Sequence, residues 1–197
     1  MTRHCGNCQL CCKVIPVEEI GKLAGQRCKH QRHGKGCSIY ERRPWSCREW
    51  SCMWLTGSES GKPLDLSRPD HSGYVVDTVP DIVRATNNAT GEISQITVLQ
   101  IWVDPARPEA WRDPALMAML ERGGIVGLVR FDSSRGLTVW PPTAVTDGQW
   151  HFTDTQSAED LRGAQRAARH EFWSKQIEEQ MHQPGITKLQ QRRAPAP

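Results

Sequence analysis

Eight cysteines, Cys5, Cys8, Cys11, Cys12, Cys28, Cys37, Cys47 and Cys52, lie within the first 52 residues, and the 145 residues that follow contain none. Sulfur is a soft donor that selects Zn²⁺, iron–sulfur clusters or Cu(I). Cys5-x2-Cys8 is the spacing at which a tight turn aims two thiolates at one ion about 2.3 Å away. Gly6 suits that turn because it tolerates the backbone curl. Cys11 repeats the two-residue gap, and Cys12 adjoins it. In extended backbone neighbouring side chains face opposite ways, so Cys11 and Cys12 are not expected to serve one mononuclear site identically. One of them faces a second metal, bridges two ions or fills the core. The later cysteines are separated by 8, 9 and 4 intervening residues, which suits ligands brought in by loops. Eight thiolates can fill two four-sulfur sites. Seven can leave one site complete and one open, and a bridged cluster is a third solution.

The triple CxxCxxC also occurs in four-iron ferredoxin-like sites, where the fourth cysteine is followed by proline. Neither Cys47 nor Cys52 is; Pro44 precedes instead. Zinc is therefore the first expectation for the metal and an iron–sulfur cluster the alternative. Four disulfides would suit an exported scaffold, but the N-terminus lacks the features of a secretory signal and no stretch approaches the length of an apolar membrane span. The expected setting is cytoplasmic, with no membrane partner. Cys11-Cys12 as a redox disulfide is disfavoured, because vicinal cysteines rarely reach relaxed disulfide geometry.

Other chemistry-bearing residues have blander readings. His4, His30 and His33 lie near the cysteines and are expected to face solvent rather than ligate. Arg43 and Arg48 flank Cys47 and could moderate thiolate charge. Tyr40 and Trp45 are expected to shield the cluster. Asp77, Asp81 and Asp104 read as loop caps near strand ends. No serine elbow, HExxH or dinucleotide fingerprint is present. Net charge is +3, but residues 1–62 hold 11 Lys or Arg against 5 Asp or Glu, while residues 63–197 hold 14 against 17. The basic part could offset thiolates, the preferred reading, or face a phosphate backbone. A nucleic-acid partner is the less favoured reading of this pattern, and a protein partner is unspecified.

The elements that must position these residues follow from punctuation and periodicity. Pro16, Glu18 and Glu19 predict a short helix with Ile20, Leu23 and Ala24 on its apolar face and Gly25 as its stop. Residues 26–37 read as an irregular basic loop turning at Gly34-Lys35-Gly36. A helical turn fits Ser46–Trp54, and residues 56–73 read as a linker. Beyond it, strands are expected at Gly73–Val79, Glu92–Val103, Ile125–Phe131 and Leu137–Trp140. Asp113-Pro114 opens a helix that Gly123-Gly124 ends. A second helix is expected over about 157–182, carrying Leu161, Ala164, Ala168, Phe172, Ile177 and Met181. The fold class is α+β: a cysteine-rich metal-binding module over 1–62, packed with a small, mostly antiparallel sheet and two or more helices over 63–197. The two parts could form one compact unit.

The N-terminal part resembles the zinc- or iron-chelating CxxCxxCC family, also called the YkgJ-type family. The opening motif falls on Cys5, Cys8, Cys11 and Cys12. A second segment runs from Cys28 through Gly36-Cys37-Ser38-Ile39-Tyr40 to Arg43-Pro44 and Cys47-Arg48. Cys52-Met53-Trp54-Leu55 is similar to an extension found in some members. The resemblance spans about residues 4–55 and implies metal chelation. Its relatives include iron–sulfur oxidoreductases, and a fused domain occurs beside flagellin lysine methylation, although no methyltransferase-like glycine-rich loop is present here. The function expected is a metal-binding protein that chelates zinc or iron through all eight cysteines. An iron–sulfur-dependent oxidoreductase or electron carrier, and a nucleic-acid or protein interaction module, are the alternatives.

Overall fold

The long apolar run ending at Val103 organises the chain. In the computed structural model, which describes residues 3–59, 61–86 and 90–154, this run is an eleven-residue strand. In chain order, α1 is Cys11–Val14, β1 Gln31–Arg32, β2 Gly36–Cys37, α2 Trp45–Glu49 and α3 Met53–Thr56. The short hairpin β3 (Ser58–Glu59) and β4 (Lys62–Pro63) and the turn-like α4 (Pro69–Ser72) lead to β5 (Tyr74–Val76) and β6 (Asp81–Thr86). Then come β7 (Ile93–Val103), α5 (Pro114–Gly123), β8 (Gly127–Arg130), β9 (Gly136–Trp140) and β10 (His151–Asp154).

The main sheet runs β10-β9-β8-β7-β5, and β6 also pairs with β7. β5 meets the C-terminal part of β7 (Val76 opposite Ile101), while β6 meets its N-terminal part (Asp81 opposite Val98). Every pairing in this sheet is antiparallel except β7 with β8, which α5 connects. A parallel return needs such a crossover. The chain is α+β. Asp113 caps α5 by accepting from the amides of Ala115 and Leu116 at 2.9 and 3.2 Å, as the Asp-Pro signal predicts. The helix expected over 157–182 lies outside the described residues.

Side chains alternate across a strand, and both faces of the sheet centre are covered. Tyr74, Val76, Ile101, Val103, Val129 and Val139 pack with Leu116, Met119 and Leu120 of α5. Val75 and Trp102 have the opposite parity and pack with Leu10, Val14, Ile15, Ala24 and Cys52. The cysteine-rich segment therefore forms a layer on the face opposite α5.

Three local expectations are corrected. The helix expected after Pro16 is only a three-residue turn, Glu18–Ile20, which Gly21 ends with φ 63°. The basic loop contains a hairpin, β1 with β2, around the glycine turn. Residues 56–73 are not a bare linker: Leu66 is buried in the core, and Arg3 donates to the carbonyls of Trp54 and Leu64 at 2.7 and 2.6 Å. β6 and β10 were not anticipated. Among the described residues, no helix is long and apolar enough to cross a membrane.

Candidate metal centre

The first knuckle is a tight turn. Gly6 adopts φ 53°, and the Cys8 amide donates to the Cys5 carbonyl at 2.9 Å. Leu10 then starts α1, whose single turn carries Cys11 and Cys12. The chain returns along α1: Gly25 donates to Val14 at 3.1 Å and Cys28 to Cys12 at 2.9 Å. Cys37 sits on β2 opposite Gln31, whose amide donates to the Cys28 carbonyl at 3.0 Å, so this hairpin is tied to the Cys28 turn. Cys47 lies within α2 and Cys52 at the start of α3. An isolated bridge pairs Cys52 with Asp77 at the end of β5.

All eight cysteines are free thiols; Cys52 is buried, Cys5 exposed and the rest half-buried. Seven of them fall into two overlapping electrostatic groups, which Cys11 and Cys12 join. Cys11 feels Cys12 and then Cys8 and Cys52, and Cys52 feels Cys5 and Cys8. On the other side, Cys47 feels Cys12 and Cys28. Cys11 and Cys12 are joined by a thiol hydrogen bond, which raises Cys11 well above its ordinary value, with burial adding to the effect. The same bond lowers Cys12 against the opposing effect of burial, helped by the charges of Lys22 and Arg43. Burial pushes Cys52 up to about 11, although the Leu55 amide opposes it. Burial also raises Cys8, with the Leu10 and Asp70 amides and the Arg68 charge opposing, and raises Cys47, with the Ser46 side chain opposing. These shifts share a cause. Removing a thiolate from water disfavours its charge unless a donor or cation replaces the water.

Lys22 is the main cation on the second side, and nothing in the sequence marks it. It is 8% exposed. Its ammonium donates to the carbonyls of Lys13 (3.1 Å), Leu23 (3.3 Å) and Ile15. Burial lowers its pKa, opposed by Cys28, Cys12, Cys11 and Cys47. Arg68, paired with Asp70 at 2.7 Å, stands beside Cys8 in the first neighbourhood.

Beneath Cys52 lies a buried polar network. Asp77 accepts from the indoles of Trp50 (2.7 Å) and Trp102 (3.2 Å) and from the Val79 amide (2.9 Å). Gln100 donates to the Val79 carbonyl at 3.0 Å and accepts from Arg130 at 2.9 Å. Arg130 pairs with Asp81 and lies over the Trp102 ring. Asp77 and Asp81 do accept neighbouring backbone amides, but both are fully buried, so loop capping is an incomplete account of them. Asp104 caps Ala106 at 2.9 Å and also pairs with Lys13.

The other expected residues differ in exposure. His4 and His33 are exposed and His30 half-buried. Tyr40 and Trp45 are 57% and 46% exposed, so the shielding role expected of them is corrected. Arg43 covers one face of Tyr40 at 3.8 Å and is also a cation near Cys12. Among the described residues, no three Cys, His, Asp or Glu side chains are arranged so that, as placed, they could hold a metal ion. Compared with known proteins, the chain matches no family model, no curated protein and no solved structure.

Proposed function

We propose that the protein binds zinc or iron through its clustered cysteines. The observation that supports this is the grouping of sulfurs distant in sequence. Cys52 stands with Cys5, Cys8 and Cys11, and Cys28 and Cys47 stand with Cys12. A family of thiols used only for packing has no reason to gather beside the buried ammonium of Lys22. The donor chemistry fits a soft metal, and the cations nearby fit a centre whose ligands carry negative charge. The residues that would hold the metal are Cys5, Cys8, Cys11 and Cys52 on one side, and Cys12, Cys28 and Cys47 on the other. Cys37 would join the latter set through the hairpin. The thiols are neighbours rather than a closed shell, so ligation requires side-chain rotation toward a common point. A bound ion would supply cross-links between short elements that hold few apolar contacts of their own, coupling metal binding to local folding.

The test is anaerobic purification followed by elemental analysis and a visible spectrum. A colourless protein with stoichiometric zinc, or a brown one with iron and sulfide, supports the reading and names the metal. Cys8→Ala and Cys28→Ala should each reduce the bound metal. Chelation should raise hydrogen exchange across residues 5–52 more than in the strands β7 and β8. A metal-free preparation that takes up no zinc or iron on reconstitution, with unchanged protection, overturns it.

A further inference from the structure

We infer that the exposed basic and aromatic side chains of residues 27–48 bind single-stranded nucleic acid. Residues 26–48 carry seven Lys or Arg against one acidic residue, Glu41. Thiolate compensation does not absorb this charge. The cations beside the thiols are Lys22, Arg43 and Arg68, whereas Arg27, Lys29, Arg32, Lys35, Arg42 and Arg48 all point into solvent. Exposed acids nearby, Glu18, Glu19, Glu41 and Glu49, oppose only part of it. Glu19 is turned onto Ser46, accepting from its amide at 3.0 Å and its hydroxyl at 2.9 Å.

The same segment holds two exposed aromatic rings. Tyr40 follows the basic hairpin by three residues, and Trp45 opens α2 directly after Pro44. Both rings are about half exposed, and Arg43 stacks on one face of Tyr40 at 3.8 Å. Cations that follow a phosphate chain, together with rings that take unstacked bases, are the combination that recognises a single strand. A duplex would leave the rings unused, because its bases are already stacked. An anionic membrane is the competing polyanion. It is disfavoured because the segment's longest helix, α2, has five residues, too short to lay an amphipathic face into lipid.

The groups this inference uses are solvent-exposed apart from Arg43, but it rests on the proposed metal site keeping residues 28–47 folded, so the protein is assayed with its metal retained. Fluorescence polarisation with labelled 20-mers of rU and dT at about 50 mM salt tests it on the full chain. Binding of either oligomer is expected, and the two arms distinguish RNA from DNA. Tyr40→Ala with Trp45→Ala should weaken binding by about 10- to 100-fold at unchanged circular dichroism. Arg32→Ala with Lys35→Ala should flatten the log–log salt dependence by about 1.4. No binding of either oligomer, binding indifferent to loss of both rings, or stronger capture by vesicles containing 30% phosphatidylserine would each overturn it.

Discussion

Asp81→Asn removes one charge from an ion pair whose members are 0% and 1% exposed. The asparagine keeps the shape and can still accept from the Ile82 amide, but its NH2 then faces Arg130 in place of an acceptor, so a charge and a hydrogen bond are lost together. Arg130 cannot relieve itself by losing its proton. Its other contacts include the Gln100 oxygen at 2.9 Å and the Trp102 ring at 5.2 Å, neither of which carries a charge. Leaving one member of a buried pair uncompensated costs about 3–5 kcal/mol. Replacing both by apolar residues of similar volume removes that penalty. In Asp81→Leu with Arg130→Met, the orphaned Ile82 amide and Gln100 oxygen remain, at about 1–3 kcal/mol each. The double variant should thus fall in the same range as Asp81→Asn despite two changes. Urea unfolding followed by tryptophan emission and circular dichroism gives the comparison. At a slope of about 2–3 kcal/mol/M, the Asn variant should lose roughly 1–2 M in its midpoint. A loss under about 0.3 M for Asp81→Asn would refute the account of this pair.

Three further outcomes follow from specific contacts. Asp77→Ala strips the acceptor from Trp50, Trp102 and the Val79 amide; a cost of about 2–4 kcal/mol is expected in the same urea assay. Gly57→Ala places a Cβ 2.5 Å from the Met53 carbonyl and 2.6 Å from Leu64 Cδ1, so it should cost about 1–3 kcal/mol by overpacking, seen as a lower midpoint with unchanged slope. Burial raises the Asp104 carboxyl, but Lys13, the Ala106 amide and Arg107 together hold it below the ordinary value. A depressed carboxylate adds stability above its unfolded pKa that is lost as pH falls through the folded one, so Asp104→Asn should narrow the stability gap between pH 6 and pH 3, read from thermal melts.

What the sequence made legible was periodic or chemically punctuated. β7 is readable because Ile96–Val103 is a continuous β-favouring run, and burial on both faces from Val98 onward explains its lack of alternation. α5 is readable because Asp113-Pro114 starts it and Gly124, at φ 58°, stops it. β10 escaped notice because all four of its residues are exposed, leaving no hydrophobic pattern. The turn over Glu18–Ile20 was over-read as a helix because Gly21 takes the left-handed stop earlier than Gly25. The cysteines were legible as a group, but their division between Cys52 and Cys28 neighbours was not. That division depends on Cys52 pairing with Asp77, a contact 25 residues away that no spacing rule encodes. Lys22, Arg130 and the burial of Asp77 and Asp81 were equally invisible, since a charged residue's letter says nothing about whether a partner will bury it.

The Asp77 network explains why a layer built of four- and five-residue helices can hold any arrangement of thiols. Helices of one turn do not persist alone, because nucleation outweighs the few hydrogen bonds gained. α1, α2 and α3 must therefore be held from outside. Val14, Ile15 and Cys52 supply apolar contacts against Val75 and Trp102, but such contacts are non-directional and would permit sliding. Trp50 adds direction. Its indole reaches the same carboxylate as Trp102, so the segment between α2 and α3 is fixed to β5 and β7 at one point. Cys52 follows Trp50 by two residues and pairs with the backbone of Asp77 itself. The sheet thus fixes Cys52, and through it the side of α1 that Cys11 faces. Cys12, one residue on, faces Lys22 and the returning segment at Cys28. Cys11 and Cys12, hydrogen-bonded to each other, thus couple the sulfur anchored by the sheet to those carried by a loop.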